Sequence, residues 1–464
     1  MKLIYNVKDK PKFGQLLVFA FQQLLAILAA TIAVPAIVGN GMSQSAALFG
    51  AGVGTLVYLL FTKFRSPVFL GSSFAFLGSM FAAFAGAASA EAGFAGIIIG
   101  AILAGLVYVV IAIIVKFAGV AWIGKLMPAV VIGPTVAIIG LSLAGNAIGD
   151  SLKGAVADGG AYVMGAAGWV SFICAMVTLL VVMLCSVFGK KMMKLIPFII
   201  GILAGYIVAA IFTLIGAKTG NDALKVIDFS LFQNMQWVPD FTFVKAIKGL
   251  SAVDGKYLAT IAVAYIPVAF VVFAEHIADH KNLSSIIDSE LLEDPGLHRT
   301  LLGDGVGSMV GAFFGGCPNT TYGESVGCVA ITGNASIVTI FTTAIMAIVV
   351  SFFGPFVTFL ATIPSCVMGG VCITLYGFIA VSGLKMIQNV DLGNNRNLFV
   401  VSVILIAGIG GMTLKIGQVT LTEIACALIL GIIVNAILGR KDKQIEAEAA
   451  AEAAEEVPAE VEAE

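Results

Sequence analysis

Residues 314–327 read FGGCPNTTYGESVG, a run of glycine, proline and small polar residues around one carboxylate, Glu324, in a chain otherwise suited to an apolar surrounding. A carboxylate at the centre of a bilayer costs roughly 2.5–3.5 kcal/mol on insertion scales. No Lys or Arg lies within nineteen residues before Glu324 or sixty after it. Structural carboxylates ordinarily keep a cationic partner, so an acid placed this way points to a group that meets a ligand or a proton. A second acid, Glu275, closes the apolar run 257–274 in VVFAEHIADHK. By position alone it reads equally as an interfacial helix end. Asp279 at i+4 lies on the same helix face, which favours a shared polar site. His276 is offset from that face and reads as a loop or packing residue. Asp304 is a third intramembrane acid, either a proton relay or a brace for a neighbouring helix. Desolvation and like charge both disfavour ionised acids that lack cations, and such a group suits proton coupling.

These residues must be held by membrane-spanning elements. The chain has 464 residues, 59% hydrophobic and 11% charged, and a mean hydropathy of +1.05, far from the balance of soluble domains. Stretches 13–62, 66–90 and 325–384 contain no Asp, Glu, Lys or Arg, and each accommodates one or more helices of ~20 residues. The N-terminus lacks a small-residue cleavage site and reads as no removable signal peptide. Seven cysteines, Cys174, Cys185, Cys317, Cys328, Cys366, Cys372 and Cys426, sit in apolar surroundings without ligand spacing, so buried thiols are expected rather than disulfides or a metal site. No GxxxxGK[ST] loop, Ser/His/Asp set or zinc-protease pattern occurs. ATP-driven transport by this chain and an intramembrane enzyme are therefore not expected, and the reading requires no cofactor, metal or nucleic acid.

Cutting the apolar runs at charges, glycine clusters and prolines gives fourteen segments, starting near 15, 45, 68, 94, 128, 164, 195, 257, 301, 323, 335, 364, 398 and 419. With both termini cytoplasmic, connections holding Lys63 and Arg65, Lys116 and Lys125, Lys190, Lys191 and Lys194, Lys281 and Arg299, Lys385, and Arg440 to Lys443 fall inside, as the positive-inside bias requires. The long connection 216–256 is then outside, and Lys415 is a minor exception. The second segment, LFGAGVGTLV at 48–57, matches the ninth, LLGDGVGSMV at 301–310, at six of ten positions. The offset is seven segments, and an odd number turns the second copy over in the membrane, as in the inverted repeats of secondary transporters. RSPVFLGSSFAF follows the first copy and GCPNTTYGESVG the second. Each breaks a helix at membrane depth, which is tolerated only against protein or a polar cavity. Glycines 71, 315, 316 and 323 permit sharp turns and close approach of a flat ligand, and half-helix N-termini would aim N–H groups at it. The last residues, RKDKQIEAEAAAEAAEEVPAEVEAE, read as a disordered acidic tail.

FAEHIADH, DPGLHRTLLGDG, PNTTYGESVGCVAITG and GSSFAF at 71–76 closely resemble the nucleobase-ascorbate (nucleobase:cation symporter) family, and within it the bacterial members that carry uracil. The resemblance extends over nearly the whole chain apart from the tail. It implies an all-α polytopic membrane protein of seven plus seven segments in an inverted repeat, with short strands in segments 3 and 10. It also implies a core domain from 1–116 and 257–353, a gate domain from 117–256 and 354–440, and the tail at 441–464. Carried over by motif, Glu275 and Glu324 would bind the base, the backbone at Phe74 and Gly323 would contact it, and Tyr322 would line the site. Glu275, Asp279 and Asp304 are candidates for proton coupling. The implied activity is proton-coupled uracil import across a bacterial cytoplasmic membrane by an elevator-like motion, with a homodimer through the gate domain. Ser325 stands where the family usually has asparagine. Asp279 takes the place of a histidine that couples protons in some members, and Gln23 that of a histidine in the first segment. Relatives that carry purines or xanthine generally have glutamine at Glu324. A xanthine or urate carrier of the same family is the nearest alternative. Inorganic anion transport on the same fold is the next, although two carboxylates would repel an anion. A regulatory receptor would need a signalling domain, which the sequence lacks.

Overall fold

The computed structural model describes residues 3–119, 128–158, 161–190, 192–416 and 419–455. Lys125 and Lys191 of the orientation argument and the tail beyond 455 lie outside the described residues. In chain order the elements are α1 (Phe13–Val38), α2 (Gln44–Phe61), β1 (Leu70–Ser72), a 3₁₀ turn (Phe74–Phe76) leading into α3 (Leu77–Ala85), and α4 (Ala90–Ala118). Then come α5 (Ala129–Ser142), α6 (Ala144–Ser151), the hairpin β2 (Val156–Asp158) and β3 (Ala161–Val163), α7 (Ala166–Phe188), α8 (Met192–Leu195), α9 (Pro197–Thr219) and α10 (Thr242–Gly249). The second half has α11 (Gly255–Ile287), α12 (Leu297–Gly315), β4 (Asn319–Thr321), α13 (Gly323–Thr332), α14 (Ile337–Val350), α15 (Gly354–Thr362) and α16 (Ser365–Met386). It closes with α17 (Asn395–Ile409), the hairpin β5 (Leu414–Ile416) and β6 (Val419–Leu421), and α18 (Glu423–Glu455).

The chain is an all-α polytopic membrane protein. Among the described residues eight helices are long and apolar enough to span a bilayer, or nine if α14 and α15, bent by 82°, form one broken span. Side chains at several starts satisfy the free N–H groups that open a helix. Ser43 Oγ accepts from Ala46 N–H at 3.2 Å, Ser89 Oγ from Ala92 N–H at 3.2 Å, and Asp254 Oδ1 from Tyr257 N–H at 2.7 Å. Each of the fourteen expected segments has a helix or a strand and helix beginning within a few residues of its expected start. The bend between α14 and α15, at the Gly354–Pro355 step, and the two hairpins were not anticipated. The last helix also runs through the Ala- and Glu-rich stretch to Glu455, where the sequence reading has a disordered tail; Ala and Glu are strong helix formers.

The repeat is visible in space. The order helix, helix, strand, short helix, helix over 13–118 recurs over 255–350. The matching segments α2 and α12 pack against each other with their glycines in register: a Cβ added at Gly54 would lie 2.8 Å from Gly307 O, and one at Gly307 would lie 2.8 Å from Gly54 O. Those glycines are equivalent in the sequence match, so equivalent backbones meet across a local two-fold axis. Small residues permit this approach where apolar lipid offers no hydrophobic drive for helix association. Strands β1 and β4 pair antiparallel, Leu70 with Thr321, Gly71 with Thr320 and Ser72 with Asn319. Two copies that enter the membrane in opposite directions produce that orientation. Around this centre α2, α4, α11 and α12 pack together, while α5, α7, α9, α16, α17 and α18 form a second packed group.

Candidate binding site

The strand pair ends where two short helices begin. Ser73 N–H donates to Pro318 O at 2.9 Å and Tyr322 N–H to Phe69 O at 3.2 Å, extending the ladder at both ends. Backbone that an unbroken helix would satisfy internally is therefore satisfied across the repeats. Gly71 is required here, because a Cβ on it would run into the Tyr322 ring. The ring lies across that strand and its hydroxyl donates to Ser72 O at 2.8 Å. Asn319 Nδ2 donates to Gly50 O at 3.1 Å and ties β4 to α2.

From this cross-over the 3₁₀ turn at Phe74 and helix α13 at Gly323 start into one cavity of about 360 Å³, within the ~300–1,000 Å³ range of small-molecule sites. All five residues expected to bind substrate line it: Phe74, Glu275, Tyr322, Gly323 and Glu324. Asp279 and Thr321 line it too, and Thr321 Oγ1 donates to Asp279 Oδ2 at 2.8 Å. Glu324 sits in the first turn of α13, where the partial positive charge of the helix end favours a carboxylate. Among the described residues no Lys or Arg forms an ion pair with Glu275, Asp279 or Glu324. The cavity offers three carboxylates, two helix N-termini and aromatic surface, a set suited to a flat molecule rich in N–H donors.

Sequence reasoning did not find the opposite wall. Val136 and Ile139 of α5, Phe198 of α9 and Leu375, Phe378, Ile379, Ser382 and Met386 of α16 close it. Apolar residues give no signal in a chain this apolar. Phe74 meets Tyr376 of α16 edge-on, with ring centroids 6.0 Å apart.

Asp304 is not brought to the cavity. It is fully buried, and its Oδ2 lies 2.7 Å from His276 Nδ1, while His276 Nε2 lies 2.9 Å from Thr300 Oγ1. His276 is thus neither a loop residue nor mere packing: it joins α11 to α12 through polar bonds. It stacks on His280 with centroids 4.0 Å apart, and His280 Nε2 is 2.7 Å from Tyr58 Oη, which donates to Ser66 Oγ at 2.7 Å. Two buried histidines one turn apart in an apolar helix were the available signal for this network. Gln23 and Ser325, both departures from the resembled pattern, contact each other: Gln23 Nε2 donates to Ser325 Oγ at 2.5 Å, which also accepts from Phe69 N–H at 3.0 Å.

Comparison with known proteins agrees with this architecture. Residues 14–417 match the model of Xan_ur_permease, described as "Permease family". The chain is 39% identical over 452 residues, 96% of this chain and 97% of the relative, to a protein named uracil permease from Bacillus caldolyticus. Another of that name, from Bacillus subtilis (strain 168), is 36% identical over 450 residues, 96% of this chain and 98% of the relative. A third, from Escherichia coli (strain K12), is 34% identical over 433 residues, 92% of each chain. Among solved structures, the transmembrane domain of the cyanobacterium bicarbonate transporter BicA superposes with a TM-score of 0.62 at 16% identity, covering 93% of this chain and 100% of that one. The murine anion transporter Slc26a9, inward-facing, gives 0.65 at 13% identity, covering 94% of this chain and 69% of that one. At such identities these two structures show the fold alone.

Proposed function

The chain belongs to the Xan_ur_permease family and is a transporter, not an enzyme; from that premise we propose that it imports uracil with protons across a bacterial cytoplasmic membrane. The observation that carries the substrate is the cavity, with Glu275 and Glu324 beside the N-termini at Phe74 and Gly323 and no cationic partner among the described residues. Uracil has two ring N–H groups, one between two carbonyls and one beside a single carbonyl. Acceptor-only carboxylates take the ring N–H groups, backbone N–H groups meet the carbonyl oxygens, and Phe74 packs on the ring. The names of the curated relatives support the same substrate. An anion as substrate would face three carboxylates and no Lys or Arg among the described lining residues, so likeness to anion transporters extends to fold and not to cargo.

Glu275 and Asp279, on one face of α11 and both lining the cavity, are the proposed proton carriers. Asp304, bonded to His276, is the proposed brace between α11 and α12. The group containing α2, α4, α11 and α12 is the proposed core, carrying the base past a gate built from α5, α7, α9, α16, α17 and α18. The cavity wall follows α16 from Leu375 to Met386, toward Lys385 and the side proposed as cytoplasmic. Met80, Leu143, Ala147 and Tyr376 are buried in one apolar cluster, and the proposed state is inward-facing with cytoplasmic termini. A homodimer through the gate completes the proposal. Equilibrium binding of uracil, xanthine and sulfate to the purified protein tests the substrate: tightest binding of uracil is expected, and preference for xanthine or sulfate overturns it.

A further inference from the structure

We propose that the segment ahead of the first helix, residues 3–9, is a positioning arm for the half-helix that carries Glu324, an inference that rests on the reading of Glu324 as a substrate ligand. Helix α13 has ten residues, too few to be stable by itself in water, so its direction depends on what grips it. Its C-terminal end is held by the arm. Ile4 N–H donates to Gly333 O at 2.7 Å and Tyr5 N–H to the same oxygen at 3.2 Å; in return Ala335 N–H donates to Tyr5 O at 2.9 Å and Ile337 N–H to Val7 O at 3.0 Å. Ser336 Oγ adds a bond to Asp9 O at 2.6 Å.

The back of the helix is covered as well. Leu3 and Val7 pack against a buried cluster that contains Val326 and Val329 of α13. Gly333 closes α13 in the left-handed conformation, φ 66°, and its N–H returns to Val329 O at 2.9 Å. The Gly333 carbonyl is thereby turned out of the helix toward the arm. At the other end Gln23 of α1 holds Ser325, next to Glu324. Helix α1 and its leading segment therefore grip α13 at both ends, and the carboxylate is aimed by chain more than three hundred residues away in sequence.

The test uses the full chain with Ile4→Pro and Ser336→Ala combined, removing one amide donor and the Ser336 hydroxyl, alongside Ser336→Ala alone and Ser336→Thr, which keeps the hydroxyl. Amide hydrogen exchange in the ligand-free protein is expected to rise several-fold within Gly323–Thr332 and to remain unchanged in α16. The uracil Kd is expected to rise about tenfold in the double variant, as loss of two net hydrogen bonds worth about threefold each would produce, and Ser336→Thr is expected to keep the wild-type value. Unchanged exchange in α13, or an equal rise throughout the molecule, would overturn the arm. Should the double variant fail to fold, Ser336→Ala alone decides by the same readouts. A wild-type protein that does not bind uracil refutes the substrate reading, while the exchange of α13 still decides for or against the arm.

Discussion

Among the described residues of α11, α12 and α13, four acids sit in two different settings. Glu275, Asp279 and Glu324 open onto the cavity and have no Lys or Arg partner among the described residues, whereas Asp304 is sealed between α11 and α12 against His276. Both arrangements come from the same physical demand, that a buried polar group be satisfied. Asp304 is bonded inside the protein through Oδ2, which His276 holds and which ties two helices together, while Oδ1 has no hydrogen-bond partner among the described residues. The cavity acids, Asp279's bond to Thr321 aside, leave acceptor capacity for something that arrives from outside. Position beside a cavity, more than the presence of an acid in a membrane helix, separates a binding residue from a brace.

The largest expected effect breaks the cavity set. Glu324→Ala should lower uracil affinity on the order of a hundredfold or more, since it removes a charge-assisted acceptor; equilibrium binding on protein of unchanged thermal stability checks this, and wild-type affinity would remove Glu324 from the site. Glu275→Gln keeps the shape but exchanges an acceptor for a donor, and should abolish accumulation driven by a proton gradient. Proton-dependent uptake at the wild-type rate would take Glu275 out of the mechanism.

Asp304→Asn sharpens the contrast from the other side. It should lower stability by about 1–3 kcal/mol through the disturbed His276 contact, read as a lower unfolding temperature, while uracil affinity changes less than Glu324→Ala makes it change. Lost binding at unchanged stability would place Asp304 with the cavity acids. The smallest effect is expected from Thr321→Val, which removes one donor from Asp279 and should alter affinity or coupling about threefold, by the worth of one hydrogen bond. A hundredfold loss there would show that Asp279 needs Thr321 to function.

The spans, the repeat and the cavity acids were legible in the sequence for related reasons. Charge is expensive in a bilayer, so Glu275 and Glu324 stand out, and glycine spacing in α2 and α12 records a backbone contact that only small residues permit. The wall formed by Val136, Phe198 and Leu375 was not legible, because lining a cavity and facing lipid call for the same residue types. The partnership of His276 with Asp304 was hidden by distance along the chain, as was the contact of residues 3–9 with 333–337. The 82° bend between α14 and α15 had a signal in Gly354–Pro355, a step that favours a new helix start.

Uptake of labelled uracil into proteoliposomes, with and without an inward proton gradient and challenged by unlabelled uracil, xanthine and sulfate, tests proton-coupled uracil transport. Gradient-driven accumulation that unlabelled uracil suppresses and that xanthine and sulfate leave intact is the expected result. Accumulation of xanthine in place of uracil, or uptake of uracil indifferent to the gradient, would contradict it.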